Sequence, residues 1–249
     1  MKNLIKLMGI IAIVAVIVFA FVACPEPEEE GDPTSFGDKL EFTNEQVYVL
    51  EQKREGDKLT LEYKPYSGPD ITFDSVFGAA PKIAGGKFSF SVGVPAAQYL
   101  ESISEWFPDD DTYTDLKISD TTVKYVTISS FRKESPYAYL SRQNYDSSNI
   151  TVSGSGENMT YTGSATMESV SFVYVDKAVT ITGKGKTKTV TYEAGATYID
   201  KYNDINLSLA KGWNTVCSKG EGGMSGSATT ITQSVNNPSS AKWLVSTND

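Results

Sequence analysis

The sequence predicts a mainly β protein with an antiparallel, β-sandwich-like architecture, and two observations support this. The chain is rich in Tyr, Thr, Ser, Val and Gly, with 14 tyrosines and 20 glycines among 249 residues. These residue types suit pleated, half-exposed surfaces and the turns between them. Apolar and polar residues also alternate in short runs separated by turn residues, which is typical of sandwiches and barrels.

The first strand-like runs predict a hairpin and a half-buried strand. Residues 47–50 and 58–63 flank a turn at residues 54–57, which contains a glycine. Residues 87–92 alternate strictly after a Gly-Gly pair, with two phenylalanines and a valine on one face. We therefore expect the chain to enter its β structure soon after residue 39.

Residues 95–107 predict one short amphipathic helix. Pro95 suits the first helical turn. The apolar residues that would form a single stripe are Ala96, Tyr99, Leu100, Ile103, Trp106 and Phe107. Pro108 and three aspartates would end this helix, which we expect to cover one face of the first sheet.

The remaining strand signals predict a second β region. They lie at residues 122–128, 137–140, 169–175, 178–182, 187–192 and 205–209. A Val-Tyr-Val sequence occurs at both 47–49 and 173–175, which gives slight support to two domains. We predict two small β domains, the first covering residues 39–130 and carrying the helix, the second covering residues 131–249.

The first 23 residues predict an export signal. Lys2 and Lys6 supply a basic start, and an apolar run covers residues 7–23. That run is shorter than the roughly 20 residues of a typical membrane-spanning helix. An uncleaved N-terminal membrane helix is the alternative, and both interpretations place the rest of the protein outside the cytoplasm.

The sequence Phe-Val-Ala-Cys at residues 21–24 resembles the bacterial lipobox. It departs from the usual pattern at Phe21, where that pattern has leucine, and relaxed boxes of this kind resemble those of spirochaete lipoproteins. The resemblance implies that Cys24 is diacylglyceryl-modified and becomes the mature N-terminus. Two or more acyl chains give stable anchoring, so the protein would need no further membrane element.

Residues 24–38 predict an acidic Pro/Gly tether between the lipid and the folded part. The acids of this segment are Glu26, Glu28, Glu29, Glu30, Asp32 and Asp38, with no base among them. The whole chain has 31 acidic and 22 basic residues and a formal net charge of −9. Because phosphate binding needs a basic footprint, this balance argues against a nucleic-acid partner.

The chain contains no histidine. Ser-His-Asp and Cys-His catalysis, the common zinc sites and histidine general-base chemistry are therefore excluded. Cys217 lies in a strand-like stretch without a histidine to activate it, which predicts a small buried side chain. No catalytic residue is predicted, and the chain is interpreted as a non-enzyme.

The loop at residues 107–115 contains the one candidate cofactor site. Asp109, Asp111 and Asp115 could offer oxygen ligands to calcium, the only cofactor that we predict as a candidate. The spacing lacks the mid-loop glycine and the final glutamate of an EF-hand. A solvated acidic loop is the alternative interpretation.

Residues 207–214, Leu-Ser-Leu-Ala-Lys-Gly-Trp-Asn, predict a hairpin with a tight Lys-Gly turn. Trp213 lies at the exit of this turn. If its ring is exposed, it is a candidate contact for a sugar or protein partner. If it is packed, it fixes the hairpin to the sandwich, and we favour this second interpretation because aromatic rings usually dominate cores.

Taken together, the relaxed lipobox, the segment at residues 174–183 and the Lys-Gly-Trp-Asn hairpin look like a group of treponeme-type spirochaete lipoproteins of unassigned function. The resemblance implies a location in the bacterial cell envelope, facing the periplasm or the cell exterior, and membrane attachment through lipid on Cys24. It does not imply an activity.

Tyrosine-rich surfaces favour contact over chemistry. We therefore predict a non-catalytic binding or interaction module with a protein or glycan partner. The alternatives are an exported enzyme that acts on glycans through carboxylates, and a structural component of the envelope.

Overall fold

The computed structural model describes residues 34–107, 112–147, 150–153, 160–191, 197–223 and 228–247. Within these ranges the protein is mainly β, which confirms the predicted fold class. No helix in the described ranges has the length and apolar character to span a membrane. The signal segment and Cys24 lie outside the described residues, so their predicted roles stay predictions.

The strands of the described ranges are β1 (Ser35–Gly37), β2 (Leu40–Glu55), β3 (Lys58–Pro65), β4 (Ile71–Thr72), β5 (Lys82–Ala84), β6 (Lys87–Val92), β7 (Glu101–Ser102), β8 (Tyr113–Ile118), β9 (Lys124–Ile128), β10 (Phe131–Lys133), β11 (Ala138–Asp146), β12 (Thr151–Ser153), β13 (Thr160–Thr162), β14 (Ser164–Val175), β15 (Val179–Gly185), β16 (Thr187–Thr191), β17 (Thr197–Tyr202), β18 (Ile205–Leu209), β19 (Gly212–Gly223), β20 (Thr229–Ser234) and β21 (Lys242–Thr247).

Strands β14 and β19 form the central layer of the molecule. They pair antiparallel along their whole lengths, from Ser164 opposite Gly223 to Val175 opposite Gly212. Consecutive residues 169–175 of β14 are all buried. Because neighbouring residues of a strand point to opposite faces, an unbroken buried run requires both faces of the sheet to be covered.

One face of this central layer packs against the three-stranded sheet β8, β15 and β18. Val173 and Val216 of the central strands lie in one cluster of buried residues with Ile181, Leu207 and Tyr125. At roughly 1.5–3 kcal/mol for each large apolar side chain buried, this contact is a major source of stability.

The other face packs against a sheet formed by β2, β4, β5 and β6. This second core is aromatic: the ring centroids of Phe88 and Trp243 are 4.4 Å apart, and those of Phe42 and Phe172 are 4.9 Å apart. The sandwich predicted from the sequence is therefore a stack of three β layers around β14 and β19.

The predicted hairpin and the alternating strand are confirmed. Strands β2 and β3 pair from Tyr48 opposite Pro65 to Glu55 opposite Lys58. Gly56 has a φ of +61° in the turn between them, a backbone conformation that glycine adopts at no steric cost. In β6, the apolar positions are buried as the alternation indicates.

The amphipathic helix predicted for residues 95–107 is wrong. This segment contains two 3-10 turns, Ala97–Tyr99 and Ile103–Glu105, separated by β7. Strand β7 pairs with β9, and the backbone of Ile103 donates a hydrogen bond to Val123. Tertiary strand pairing therefore overrides the local apolar periodicity, and the apolar residues pack into two different cores instead of forming one stripe.

The acidic tether predicted for residues 24–38 is too long at its C-terminal end. Residues Ser35–Gly37 form β1, which pairs with β19. The ring of Phe36 packs edge-on against Phe42, with 6.3 Å between centroids. The backbone pairing of β1 with β19 and the packing of the Phe36 ring together join these residues to the fold.

The predicted domain boundary near residue 130 does not separate the two larger hydrophobic clusters. Strand β2 pairs with β21, and β9 pairs with β14, so strands from the two halves of the chain lie side by side. Phe88 packs against Trp243, and Tyr125 shares a cluster with Val173. Each core is therefore built from both predicted domains.

Candidate functional site

Tyrosines and bases collect on one face of the sheet that contains β11. Tyr139, Ser141, Gln143 and Tyr145 are alternate residues of β11, so they share a face. Both tyrosines are half-buried, which leaves part of each ring accessible to a partner. Along the strand, the two large tyrosine side chains stand at the ends of this row, and the smaller serine and glutamine side chains stand between them.

Strands β10 and β21 add one cation each to this face. Arg132 lies directly opposite Tyr139, and Lys242 lies directly opposite Gln143. Residues directly opposite each other in a ladder point to the same side. Lys242 and Arg132 are therefore on the face that carries the tyrosines.

Strands β2 and β3 extend the same face. Tyr48 is the parallel partner of Leu244, which itself lies opposite Ser141. Leu50 is two residues after Tyr48 on β2, so it lies on the same side, and Tyr63 of β3 lies directly opposite Leu50. We call the following residues the tyrosine face: Tyr48, Tyr63, Arg132, Tyr139, Tyr145 and Lys242.

Lys242 is held by aromatic rings. Its Nζ atom lies 5.4 Å from the ring centroid of Tyr48 and 5.8 Å from that of Tyr63. The two rings meet edge to face at 6.3 Å. Among the residues that the structure describes, no carboxylate lies within ion-pair distance of Lys242, so its charge is met by ring quadrupoles alone.

Arg132 repeats this arrangement at the other end of the face. Its guanidinium carbon lies 5.8 Å from the ring centroid of Tyr139, and the side chain is otherwise exposed. No described carboxylate forms an ion pair with this guanidinium either. Its five N–H donors remain open to a ligand.

Hydrogen bonds fix two of the tyrosines. The Tyr63 hydroxyl donates to Asn144 Oδ1 at 3.0 Å and accepts from the backbone N–H of Tyr145. The Tyr145 hydroxyl donates to Gln143 Oε1 at 2.7 Å. Burial raises the pKa of both Tyr63 and Tyr145, so both hydroxyls stay protonated near neutral pH.

The opposite face of β2 and β3 shows that the tyrosine face differs from an ordinary charged surface. There, Lys53 pairs with Glu55 at 2.7 Å and with Glu62 at 3.4 Å, while Lys64 pairs with Glu62 at 2.6 Å. These exposed pairs neutralise one another and contribute little to stability. The two faces of one hairpin therefore carry charge in different ways.

The register of β2, β3, β10, β11 and β21 assigns bases but no acid to the tyrosine-face side of these described strands. The residues on that side are Tyr48, Leu50, Gln52, Arg54, Leu59, Leu61, Tyr63, Pro65, Arg132, Tyr139, Ser141, Gln143, Tyr145, Lys242, Leu244 and Ser246. In a chain with 31 acids and 22 bases, this side of the strands carries bases only, while the carboxylates of Asp146 and Glu168 lie near enough to Tyr63 to help raise its pKa.

Small hydroxyl side chains lie beside the tyrosines. Ser169 is opposite Gln143 in the ladder between β11 and β14, and Ser141 is one alternate position away. Ser171 continues the row along β14 and shares a hydrogen bond of 3.0 Å with Ser129. Ser141, Gln143, Ser169 and Ser171 are all buried, so these polar groups lie beneath the surface of the face and are not exposed on it.

Trp213 does not join this face, and its interpretation as a ligand contact is corrected by its burial. The side chain is 0% exposed, its Nε1 donates to the Gly93 carbonyl at 3.0 Å, and its ring packs on Tyr174 at 5.6 Å. The packed alternative is the one observed. Gly212 beside it has a φ of +99°, and a Cβ there would lie 2.3 Å from the Gly37 oxygen.

The aspartates of the predicted calcium site are only partly described. Asp109 and Asp111 lie outside the described residues. Asp115 is exposed on β8 at a bulge, with a φ of +51°. The pKa of Lys184 is raised mainly by its hydrogen bond to Asp204, and the nearby charge of Asp115 adds to this effect. Calcium binding stays a prediction.

Cys217 is buried, as the sequence indicates. Burial raises the pKa of its thiol to about 12, so the group is a neutral thiol at physiological pH. The side chain therefore packs as a small apolar group.

The tyrosine face itself is not among the predicted sites. The alternation Tyr139, Ser141, Gln143, Tyr145 is visible in the sequence and could have marked a contact strand. In comparisons with protein-family models, curated proteins and solved structures, no match to this chain was found. The resemblance to spirochaete lipoproteins therefore depends on its sequence motifs alone and stays a prediction.

Proposed function

We propose that the protein is a lipid-anchored binding module outside the cytoplasm, and that it contacts its partner through the tyrosine face. The observation that carries this proposal is the pair of cations, Lys242 and Arg132, which lie on half-exposed tyrosine rings without a carboxylate partner in the described chain. Tyrosine and arginine are enriched at interfaces, where they supply much of the binding free energy.

The scaffold supports this role because it holds the face rigid before binding. Strand β11 pairs with β21 along one edge and with β10 and β14 along the other. Tyr63 and Tyr145 are fixed by hydrogen bonds. A preorganised surface loses little conformational entropy when a partner binds.

Attachment to the membrane would come from lipid on Cys24. Ten residues, 24–33, precede the described part of the chain, and they could extend at most about 33–36 Å. The acidic residues of this segment would be repelled by an anionic lipid surface, which favours extension. The body would then stand clear of the membrane with its tyrosine face free.

The experiment is co-sedimentation of the full-length acylated protein, held in detergent micelles, with lipid-free envelope material from the source bacterium. We expect the wild-type protein to sediment with this material. The double variant Tyr48→Ala and Tyr139→Ala should lose at least tenfold in affinity, because interface anchors contribute about 1.4 kcal/mol or more.

The matched control is Tyr99→Ala. Tyr99 is 41% exposed, but it packs on Phe77 at 5.1 Å and lies outside the tyrosine face. Thermal unfolding of each variant checks that it is folded. Unchanged sedimentation of the folded double variant, or an equal loss in Tyr99→Ala, would contradict the proposal.

A further inference from the structure

We infer that the ligand of the tyrosine face is an acidic oligosaccharide, a chain of sugar units that carries carboxylate groups. This inference rests on the proposed function and specifies the class of its ligand. Two properties of the face point to it: its accessible rings and the cations that lie on them.

The rings suit sugars because a tyrosine offers an apolar face and a polar tip. A sugar ring has C–H groups on its faces and hydroxyl groups around its edge. It can therefore stack on a ring such as Tyr48 or Tyr139 while its hydroxyls bond to the side. Both rings are half-buried, so part of each is accessible.

The cations indicate a ligand with more than one negative charge. Tyr139 of β11 lies opposite Arg132 of β10 on one edge and opposite Ser246 of β21 on the other. Lys242 is four residues before Ser246 on β21. Four residues of strand and two strand spacings place their Cα atoms roughly 16 Å apart. One small anion cannot reach both cations, whereas a chain with repeating carboxylates can.

An acidic peptide would also meet the cations, but the backbone of this face disfavours it. Extended peptides usually bind by adding a strand to a free sheet edge. Strand β11 is paired on both edges, and β21 lies between β11 and β2. Recognition must therefore come from side chains, as it does for sugars.

The test is calorimetric titration of the full-length acylated protein in detergent micelles with oligosaccharides of hyaluronan, alginate and polygalacturonate. The matched controls are the same three oligosaccharides with their carboxyl groups reduced to alcohols, and a polyglutamate peptide. We expect at least one acidic oligosaccharide to bind at least tenfold more tightly than its reduced form and than polyglutamate. Its affinity should fall as salt is added.

The variants Lys242→Gln and Arg132→Gln should each weaken this binding at least threefold, and Lys184→Gln should not. Lys184 is exposed, is already paired with Asp204, and lies on β15, which contributes no residue to the face. Equal binding of acidic and reduced forms, tighter binding of polyglutamate, or no binding of any of the three oligosaccharides overturns the inference. The sedimentation experiment tests the proposed function separately. If the tyrosine double variant loses binding to envelope material, the proposed function stands even when the oligosaccharide inference is overturned.

Discussion

The ammonium group of Lys242 lies 5.4 Å from the ring centroid of Tyr48. Both residues are on the side of the described strands to which the register assigns no acid. A lysine in this position has three N–H donors, and none of the described carboxylates forms an ion pair with it. It gains only the modest attraction of aromatic rings. The arrangement keeps a positive charge in place and available for a ligand.

The pairing of Lys242 with Tyr48 predicts a measurable coupling energy. In a double-mutant cycle with Lys242→Met and Tyr48→Leu, we expect a coupling of about 0.5–1 kcal/mol in the free energy of unfolding. Denaturant unfolding of the four proteins measures it. Additive effects within about 0.3 kcal/mol would show that the contact has no energetic role.

Trp213 is predicted to be a stability residue. Replacing this fully buried ring in Trp213→Ala should cost about 3–5 kcal/mol in the free energy of unfolding. Trp213→Phe keeps part of the ring but leaves the Gly93 carbonyl without its donor, which should cost about 1–3 kcal/mol. Guanidinium unfolding provides both values, and a cost below 0.5 kcal/mol for the alanine variant, on the order of an ordinary surface change, would refute this prediction.

Thiol counting with a disulfide reagent should report on both cysteines. Burial raises the pKa of Cys217 to about 12, so the native protein should show almost no reaction at pH 8. After unfolding, a protein acylated at Cys24 should yield one thiol per chain. Two thiols would mean that Cys24 is free, and rapid reaction of the native protein would contradict the burial of Cys217.

Substitution of Asp200 is predicted to raise the stability of the folded protein by an amount that depends on pH. Burial raises the pKa of this carboxyl, an effect that the opposing charge of Lys188 only partly offsets. Above the ordinary aspartate pKa, the folded state holds the proton more tightly than the unfolded state does. Stability is therefore lost as the pH rises from about 3.9 through the raised value.

The variant Asp200→Asn should accordingly have a higher melting temperature than the wild-type protein at pH 7, and the difference should shrink as the pH falls toward 4. The control Asp204→Asn should show the opposite sign, since a hydrogen bond from Lys184 lowers the pKa of Asp204. A melting temperature of Asp200→Asn that is lower at pH 7 would contradict the assignment.

Local patterns in the sequence predicted much of the β structure but not its assembly. The alternation in β6 and the glycine turn between β2 and β3 are properties of a few adjacent residues, so both were predictable. The pairing of Val47 with Trp243 joins segments nearly 200 residues apart. Nothing in either segment alone specifies that partner.

The error at residues 95–107 has the same origin. The apolar residues there fit a helical stripe, yet Ile103 packs in one core while Leu100 contacts the other. A helix would satisfy one core only. The strand pairing of Glu101 with Tyr125 satisfies the backbone instead, and no local signal predicts that pairing.

The tyrosine face could not be predicted from the sequence for a related reason. Its members come from β2, β3, β10, β11 and β21, and only the register brings Tyr48, Arg132 and Lys242 to one side. A shift of one residue in any of these pairings would move side chains to the opposite face. Sequence reasoning named Trp213 as a candidate contact because its motif is conspicuous, and favoured the packed interpretation that the structure shows.

Hydroxyl-radical footprinting in native membranes tests the central claim most directly, because it needs no knowledge of the ligand. The oxidation of Tyr48 and Tyr139 is measured by mass spectrometry in membranes and in the purified acylated protein, with exposed Tyr99 as the internal control. We predict that Tyr48 and Tyr139 are oxidised less in the membranes, while Tyr99 is unchanged. Equal oxidation of Tyr48 and Tyr139 in both samples would contradict the claim that this face is the contact surface.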